Sequence, residues 1–343
     1  MAKNSINSKK KAVDLLYDNA LFVIMGIMLL VIIAMEPSFV KLSNFTTILT
    51  QSATKIIYAC GIAGIIVLGG TDLALGREVG LAAVVAASLL QAVSYSQRVF
   101  SPDQVPALPL IVPLLLVMVL LAVISGLHGF VVAHWGVAPF IASLGVQLIS
   151  YGFCLQYFNQ VCNSNPLSGF DSFYSKFCQG TIRIGGLSLS YLMFYALAVV
   201  LIMWVVWNRT TLGKNMFAIG GNREAAKVCG VNVKRTIVIV YIIAGVLYAF
   251  GGVLEAGRTG SANSTMGADY AMDAIAACVV GGVSMKGGTG TLPGVVIGVI
   301  IFQIISYGLI YVGVSPDLQY VVKGLIIIVA VIIDNRKTMR NAD

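Results

Sequence analysis

Ionisable residues beside apolar runs are the first candidates for chemistry in this sequence. Asp72, Glu255, Arg258 and Asp273 lie at or near the ends of long apolar segments, where an ionisable group is costly and usually serves a function. Asp72 is the strongest of the four because glycines flank it on both sides, although it could instead cap the helix that begins after Thr71. We predict that these residues line a passage.

The sequence lacks the patterns of common catalytic and nucleotide-binding sites. Lys214 follows a glycine, but Asn215 stands where a phosphate-binding loop needs Ser or Thr. No further potential metal ligands accompany His128 and His134 in the sequence, and no Cys or His pair has zinc-site spacing. We therefore expect no catalytic residue and no metal site. A protein of this kind would take its energy from an ion gradient or from a separate ATPase.

Composition indicates which solvent surrounds the elements that position these residues. Hydrophobic residues make up 58% of the 343-residue chain, and only 10% are charged. The mean hydropathy is +0.91, whereas soluble domains carry about 25% charged residues. In lipid the backbone must satisfy its own hydrogen bonds, and long continuous apolar runs favour helices over barrels. The sequence therefore predicts an all-α integral membrane protein with one transmembrane domain over residues 1–343.

Hydropathy divides the chain into about ten transmembrane helices, of which the eighth is short. The first ends at Met35-Glu36-Pro37 without a cleavage site for a signal peptide, so we expect an uncleaved helix. The predicted spans are residues 18–35, 54–70, 78–95, 109–133, 137–158, 190–207, 236–255, 271–284, 290–311 and 318–334. In two places, glycines repeat every four residues along one face of a helix and predict close helix packing. These glycines are Gly76 and Gly80, and Gly290, Gly294 and Gly298.

The positions of basic residues predict the orientation. They cluster at Lys9-Lys10-Lys11, in the loop 208–235, and after the last span at Arg336, Lys337 and Arg340. With both termini cytoplasmic, 15 of the 22 Lys and Arg fall on the cytoplasmic side, as the positive-inside rule requires. This pattern accounts for the net charge of +8, and no aromatic-interleaved basic stripe indicates nucleic-acid binding.

The same orientation places the loop 159–189 outside. It contains Cys162 and Cys178, and a periplasm-type compartment permits disulfides. The two cysteines could form a disulfide, or they could remain free thiols in a partly buried loop.

The cytoplasmic loop 208–235 contains a short helix pattern. Gly220-Gly221 predicts a turn, Asn222 an N-cap, and Gly230 a helix end after Arg223–Cys229. Glu224 suits the first turn, and Ala225 and Ala226 form a small face. Such a helix is too short to be stable alone in water. It could dock into a groove on another protein, or it could be an ordinary capped loop helix.

These residues also resemble a known family. The segment 218–226, Ala-Ile-Gly-Gly-Asn-Arg-Glu-Ala-Ala, resembles the coupling loop of ABC-importer permeases of the ribose/xylose/galactose family. Residues 69–76 resemble its Gly-Gly-x-Asp-Leu-Ser-x-Gly segment, and residues 256–290 resemble its longest signature. The match covers nearly the whole chain and is closest to the galactose/methyl-galactoside importers.

The resemblance implies a type II ABC-importer-like permease of the bacterial inner membrane that imports galactose or methyl galactoside. Two copies would form the pathway, with two ATP-binding subunits and a periplasmic sugar-binding protein. ATP and Mg would bind to the ATPase, so this chain would hold no cofactor. The resemblance also assigns contact with the ATPase to six residues of the loop: Gly220, Asn222, Glu224, Ala225, Ala226 and Gly230.

The sequence departs from the family pattern at two positions. Ala74 replaces a usual Ser, and Ala271 replaces a usual Glu. These replacements remove groups that could act in the pathway.

Three alternative functions remain. A permease of the same family could carry ribose, xylose or a nucleoside. An ion-coupled secondary transporter would need midplane acid or His relays, and a membrane-embedded enzyme would need a cluster of catalytic acids or His; the sequence offers little of either.

Overall fold

The computed structural model describes residues 20–185 and 187–340, and most of these residues are helical. The basic cluster at Lys9-Lys10-Lys11 and the first two residues of the predicted span 18–35 lie outside the described residues. The long helices are α1 (Ala20–Met35), α2 (Leu42–Val67), α3 (Leu75–Leu89), α4 (Ile111–Trp135), α5 (Pro139–Gln160), α7 (Tyr191–Arg209), α10 (Val233–Thr259), α11 (Tyr270–Val280), α12 (Leu292–Tyr311) and α13 (Pro316–Arg340). Shorter elements are a 3₁₀ helix (Pro37–Val40), α6 (Ser172–Gln179), β1 (Thr181–Ile184), β2 (Leu187–Ser190), α8 (Thr211–Gly221) and α9 (Arg223–Val228).

Each of the ten predicted spans overlaps one of the long helices. Within the described residues, six of them are long and apolar enough to cross a membrane, namely α2, α4, α5, α7, α10 and α12. Helices α3 and α11 have only 15 and 11 residues, so they are shorter than the roughly 20 residues that cross a bilayer.

Burial separates central helices from peripheral ones. In their most apolar windows, 83% of α2 and 67% of α10 is buried, against 22% of α5 and 28% of α7. Large apolar side chains on the peripheral helices, such as Leu148 and Phe153, are exposed. This distribution is expected where lipid covers the outer helices, because apolar side chains facing lipid cost nothing.

Small residues bring α2 and α10 into close antiparallel contact. A methyl group at Gly61 would lie 3.1 Å from the Cα of Ala244, and one at Gly64 would lie 3.3 Å from Cγ1 of Val240. Further along the same pair, Gly251 packs on Tyr58. Close backbone approach of this kind is what glycines permit in membrane helices.

Helices α3 and α11 both follow an interruption of regular helix. Residues 68–74 separate α2 from α3, and residues 260–269 separate α10 from α11. The second interrupted region packs on the start of α3, because methyl groups at Gly76 and Gly80 would overlap the carbonyl oxygens of Gly267 and Met266. The predicted close packing at Gly76 and Gly80 is therefore confirmed, and its partner is an irregular segment rather than a helix.

The second glycine series packs α12 against α11. Gly294 lies on the carbonyl of Gly281, and Gly298 lies on that of Ala277. Gly290 does not belong to this face, since α12 begins at Leu292 and Gly290 has φ +154° in the preceding loop. The prediction is confirmed for two glycines and is wrong for Gly290.

The region 159–189 is more ordered than a simple loop. Asp171 caps α6 by accepting a hydrogen bond from the backbone N–H of Phe173 at 2.8 Å. The antiparallel hairpin of β1 and β2 follows, with Thr181 opposite Ser190. The all-α prediction therefore missed a small hairpin, whose four-residue strands are too short to produce a clear alternating pattern.

Cys162 and Cys178, the pair considered for a disulfide, are free thiols in the structure and both are buried. The thiol of Cys178 packs on Gly257 of α10, next to Tyr174. Cys162 instead lies just beyond the end of α5.

Candidate translocation and coupling sites

The carboxylate of Glu255 is held by four hydrogen bonds. It accepts from Thr54 Oγ1 at 2.7 Å, from Tyr270 OH at 2.9 Å, and from Arg258 Nε and Nη2 at 3.0 and 2.6 Å. Glu255 is buried, whereas the side chain of Arg258 is 23% exposed. Because its hydrogen-bonding capacity is nearly filled, Glu255 fixes the direction of the arginine.

Asp273 lies between two lysines from different helices. Lys323 of α13 donates to both carboxylate oxygens at 3.0 Å, and Nζ of Lys55 on α2 lies 3.6 Å from Oδ2. The side chains of both lysines are 20% exposed, against 9% for Asp273. The ammonium groups therefore have donors left for other hydrogen-bonding groups.

Tyr58 and Tyr270 lie beside Glu255. Their rings stack at 5.6 Å with an interplanar angle of 11°, and Tyr270 also donates to Glu255. We call the five charged residues of these contacts the charged cluster. They are Lys55, Glu255, Arg258, Asp273 and Lys323. It combines residues of α2, α10, α11 and α13.

The charged cluster contains three of the four residues predicted for a passage. Sequence reasoning missed Lys55 and Lys323, although each lies inside a predicted apolar span and the rule for intramembrane ionisable residues would have selected both. The cluster has three cations and two carboxylates, so it can donate and accept hydrogen bonds around a neutral polar molecule.

Asp72, the fourth predicted residue, contacts a different set of side chains. Its Oδ1 accepts from the backbone N–H of Ala74 at 2.9 Å, and its Oδ2 accepts from Tyr248 OH at 3.1 Å. Nδ1 of His128 lies 3.9 Å from Oδ1. Asp72 is fully buried, and its backbone contact fixes the turn into α3. Helix α3 itself has Ala74 at its N-cap position and no side-chain cap, so Asp72 supports the turn before α3 without capping the helix.

Glu78 extends this buried polar region one turn into α3. Its Oε2 accepts from Ser125 Oγ at 2.6 Å. Among the described residues, Oε1 of Glu78 and the hydroxyl of Tyr241 have no hydrogen-bond partner. His128 packs edge-on against Tyr241 at 4.6 Å. Such buried groups without partners are costly, which sets this region apart from the apolar core around it.

The short helix predicted in the loop 208–235 is present as α9. The side chain of Asn222 accepts from the backbone N–H of Ala225 at 3.0 Å, as an N-cap does. Gly230 has φ +83°, and the N–H of Val231 bonds to the carbonyl of Ala226 at 3.0 Å. These contacts close the helix in the way glycine-ended helices do, so both predicted ends are confirmed.

The exposed face of α9 differs from the prediction. Ala226 is buried, so it is not available to a partner, whereas Glu224 and Ala225 are exposed. Val228 is 88% exposed, and the sequence reasoning did not single it out. The sequence feature that could have identified Val228 is a bulky apolar residue two positions before the helix-ending glycine.

Gly220 does not form the predicted turn with Gly221, because α8 continues through Gly221. A methyl group at Gly220 would overlap the carbonyl oxygen of Val67 and would lie 2.5 Å from the backbone nitrogen of Gly288. The N–H of Gly288 in turn donates to the carbonyl of Val67 at 2.8 Å. Gly220 is therefore a packing position at the end of α2, not part of an outward face.

Comparison with known proteins agrees with this architecture. A family profile described as "Branched-chain amino acid transport system / permease component" matches residues 44–331. The galactose/methyl galactoside import permease protein MglC of Haemophilus influenzae is 51% identical over 96% of this chain and 97% of its own length. Its Escherichia coli K12 counterpart is 50% identical over 97% of this chain and 98% of its own.

More distant relatives include the ribose import permease protein RbsC of Bacillus subtilis, which is 33% identical over 92% of both chains. No solved structure matches the chain significantly. The family match covers most of the described helices, including those that carry the charged cluster and α9. This chain is therefore a multi-pass protein of the bacterial inner membrane that belongs to this family of transport-system permease components.

Proposed function

We propose that this chain is the permease subunit of an ATP-driven importer of galactose and methyl galactoside. The observation that carries the proposal is about 50% identity, over nearly the full length of both chains, to permeases that bear this cargo in their names. Ribose import permeases match at only 33–34% identity. This difference favours a galactoside over ribose.

The proposed topology has ten membrane spans with both termini in the cytoplasm. The overlap of ten predicted spans with ten helices supports it, as does the clustering of basic residues in the loop 208–235. The region 159–189, with its helix α6 and hairpin, would then face the periplasm. The short helices α3 and α11 would cross together with the irregular segments that precede them.

The proposed assembly contains two copies of this chain, two ATP-binding subunits and a periplasmic sugar-binding protein. ATP and Mg would bind to the ATP-binding subunits, and this chain would contribute no catalytic residue. The membership of the chain in a family of transport-system permease components supports this division of labour.

The proposed contact with the ATP-binding subunit is α9. Glu224, Ala225 and Val228 face outward on this helix, and Asn222 and Gly230 fix its two ends. An exposed valine beside small and acidic residues suits a groove with an apolar floor and a polar rim. The basic residues on the same loop would favour an acidic rim.

Movement of α9 would reach the pathway through backbone contacts. Helix α8 precedes α9 directly, and its Gly220 packs on the last residue of α2, Val67. Lys55 lies on the same helix α2, near its middle. A shift of α9 would therefore displace the helix that supplies one of the lysines of the charged cluster.

The charged cluster is the proposed polar part of the pathway. Its exposed ammonium and guanidinium groups can donate to sugar hydroxyls, and Asp273 can accept from them. The groups are already paired with one another, so a sugar would exchange hydrogen bonds rather than gain many. This arrangement favours weak binding, which a passage requires.

Transport assays test the cargo. The chain would be expressed with an ATP-binding subunit and a sugar-binding protein from a galactose import system, in cells without other galactose importers. We expect uptake of labelled galactose and methyl galactoside that ribose does not compete with. Faster uptake of ribose would contradict the cargo, and uptake that survives ATP depletion but stops with an uncoupler would indicate an ion-coupled carrier.

Substitutions on α9 test the docking contact. Val228→Asp and Glu224→Ala should abolish sugar-stimulated ATP hydrolysis while the chain still reaches the membrane in normal amounts. Lys214→Ala removes an exposed side chain from α8 and serves as the matched control. Normal stimulation in both α9 variants would exclude this helix as the docking contact.

A further inference from the structure

A groove of about 570 Å³ lies between the end of α4 and the start of α10. The side chains that line it include Phe130, His134, Lys234, Arg235, Val238 and Ile239. We call this feature the α4–α10 groove. None of its residues belongs to the charged cluster or to α9.

The groove changes from polar to apolar along its length. Lys234 and Arg235 lie in the first turn of α10 and are exposed. Val238 and Ile239 follow one turn later and are half-buried. A ligand that fills the groove must therefore combine a polar end with an apolar chain.

Aromatic residues mark the end of α4, beside the groove, as a membrane interface. The rings of Phe130 and His134 stack at 4.1 Å, and Trp135 packs edge-on against Phe130 at 6.0 Å. Trp135 is 72% exposed, and Leu127, one turn before Phe130, is 62% exposed. Aromatic belts of this kind lie at the level of lipid headgroups.

The charge of the groove is positive. Among the described residues, neither Lys234 nor Arg235 forms a salt bridge. The first turn of α10 adds the partial positive charge of a helix N-terminus. In this turn, the backbone N–H of Arg235 already donates a hydrogen bond to the side chain of Asn232 at 3.0 Å. The two side chains are therefore the main source of attraction for an anion.

We propose that the α4–α10 groove binds an anionic phospholipid, with the headgroup phosphate at Lys234 and Arg235 and an acyl chain along Val238, Ile239 and Phe130. Basic pockets between membrane helices bind anionic lipid headgroups in this way. The bound lipid would contact both α4 and the beginning of α10. Since α10 follows α9 after only four residues, the lipid would hold the membrane end of the loop that carries α9.

Lipid binding to the purified full-length chain tests the proposal. Nanodiscs or micelles would contain phosphatidylglycerol or phosphatidylcholine with the same acyl chains, and native mass spectrometry would measure the retained lipid. We expect preferential retention of phosphatidylglycerol. Each basic residue near an anionic membrane surface contributes about 1 kcal/mol. The double variant K234A/R235A should therefore lose about thirtyfold in phosphatidylglycerol affinity.

Two control variants distinguish specific lipid binding in the groove from nonspecific attraction of the anionic lipid to basic residues. K214A/K227A removes two exposed basic residues from the same loop and should change the affinity less than twofold. Val238→Asn leaves the charges but makes the apolar part polar, and should weaken phosphatidylglycerol binding severalfold. Circular dichroism would establish that each variant is folded.

Three results would overturn the proposal. One is equal loss of affinity in K214A/K227A and K234A/R235A, which would indicate nonspecific attraction. Another is full competition by millimolar inorganic phosphate, which would indicate an anion site without a role for the acyl chain. The third is retained lipid affinity together with lost binding of the ATP-binding subunit in K234A/R235A, which would assign the groove to that protein.

Discussion

Gly220 of α8 lies directly against the backbone carbonyl of Val67, at the last residue of α2. The same carbonyl accepts a hydrogen bond from the N–H of Gly288 at 2.8 Å. Three chain segments thus meet through backbone atoms, without a side chain between them. Backbone contacts of this kind do not yield by rotamer changes, so a displacement of α8 must move α2 as well.

The first prediction concerns Gly220→Ala. The added methyl group would overlap the carbonyl of Val67, and overpacking of a tight contact typically costs about 1–3 kcal/mol. We expect a lower thermal unfolding temperature in detergent and at least tenfold less sugar-stimulated ATP hydrolysis in the reconstituted complex.

Gly221→Ala is the control for this substitution. No atom lies within 4 Å of a methyl group placed at Gly221, so this variant should match the wild type within twofold in both assays. If the two variants behave alike, the contact between α8 and α2 has no part in coupling.

The second prediction concerns the pairing of Asp273 with two lysines. Asp273→Asn should destabilise the protein more than Lys323→Met, because it leaves two partly buried cations without their carboxylate, whereas loss of Lys323 leaves Lys55 near Asp273. Breaking a buried ion pair from one side costs about 3–5 kcal/mol, and the 20% exposure of the lysines reduces this figure.

A double-mutant cycle with Asp273→Asn and Lys323→Met measures the interaction by thermal unfolding. The double variant should be less destabilised than the sum of the single variants. Additive effects would show that the 3.0 Å contacts do not contribute to stability, and would remove the structural argument for the charged cluster.

The third prediction separates the two roles considered for Asp72. Asp72→Asn keeps an oxygen for the N–H of Ala74 and a polar group near Tyr248, whereas Asp72→Leu keeps neither. If Asp72 mainly fixes the start of α3, the asparagine variant should fold and transport within a fewfold of the wild type. The leucine variant should lose about 1–3 kcal/mol of unfolding free energy for each buried group left unpaired.

Uptake assays and thermal unfolding distinguish these outcomes. Loss of uptake in the asparagine variant, with an unchanged unfolding temperature, would instead assign to the carboxylate charge of Asp72 a role in transport.

The fourth prediction concerns cysteine reactivity. Cys229 is exposed, whereas Cys162 and Cys178 are buried. Burial raises the pKa of the Cys162 thiol to about 11 and that of Cys178 to about 12. Since the thiolate is the reactive form, both buried cysteines should react slowly near neutral pH and faster as the pH rises toward these values.

Labelling with a maleimide at pH 7 and peptide mass spectrometry measure this difference. Cys229 should be modified, and Cys162 and Cys178 should be modified only after unfolding, without prior reduction. A requirement for a reductant before Cys162 and Cys178 react would show that the disulfide forms after all.

The sequence predicted the parts of the fold that depend on composition and local pattern. The helices came from apolar runs, and the ends of α9 came from the local chemistry of Asn222 and Gly230. These signals require only neighbouring residues. They carry no information on which distant segment packs against a residue. For this reason the burial of Ala226 could not be recognised from the sequence.

Long-range contacts explain what the sequence did not predict. Lys55 and Asp273 are separated by more than 200 residues along the chain, and only the tertiary packing of their helices, α2 and α11, brings them together. The pairing of Asp72 with Tyr248 spans 176 residues. The turn predicted at Gly220 was wrong for the same reason, because its glycine serves contact with α2 and not a change of direction.

The backbone contact between Gly76 and Gly267 has a mechanical consequence. It joins the first turn of α3 to the irregular segment before α11, and no side chain at either glycine can compress or rotate to let them slide. The two regions can tilt about this point but cannot separate without breaking it. The contact therefore acts as a pivot for relative movement of α3 and the segment that precedes α11.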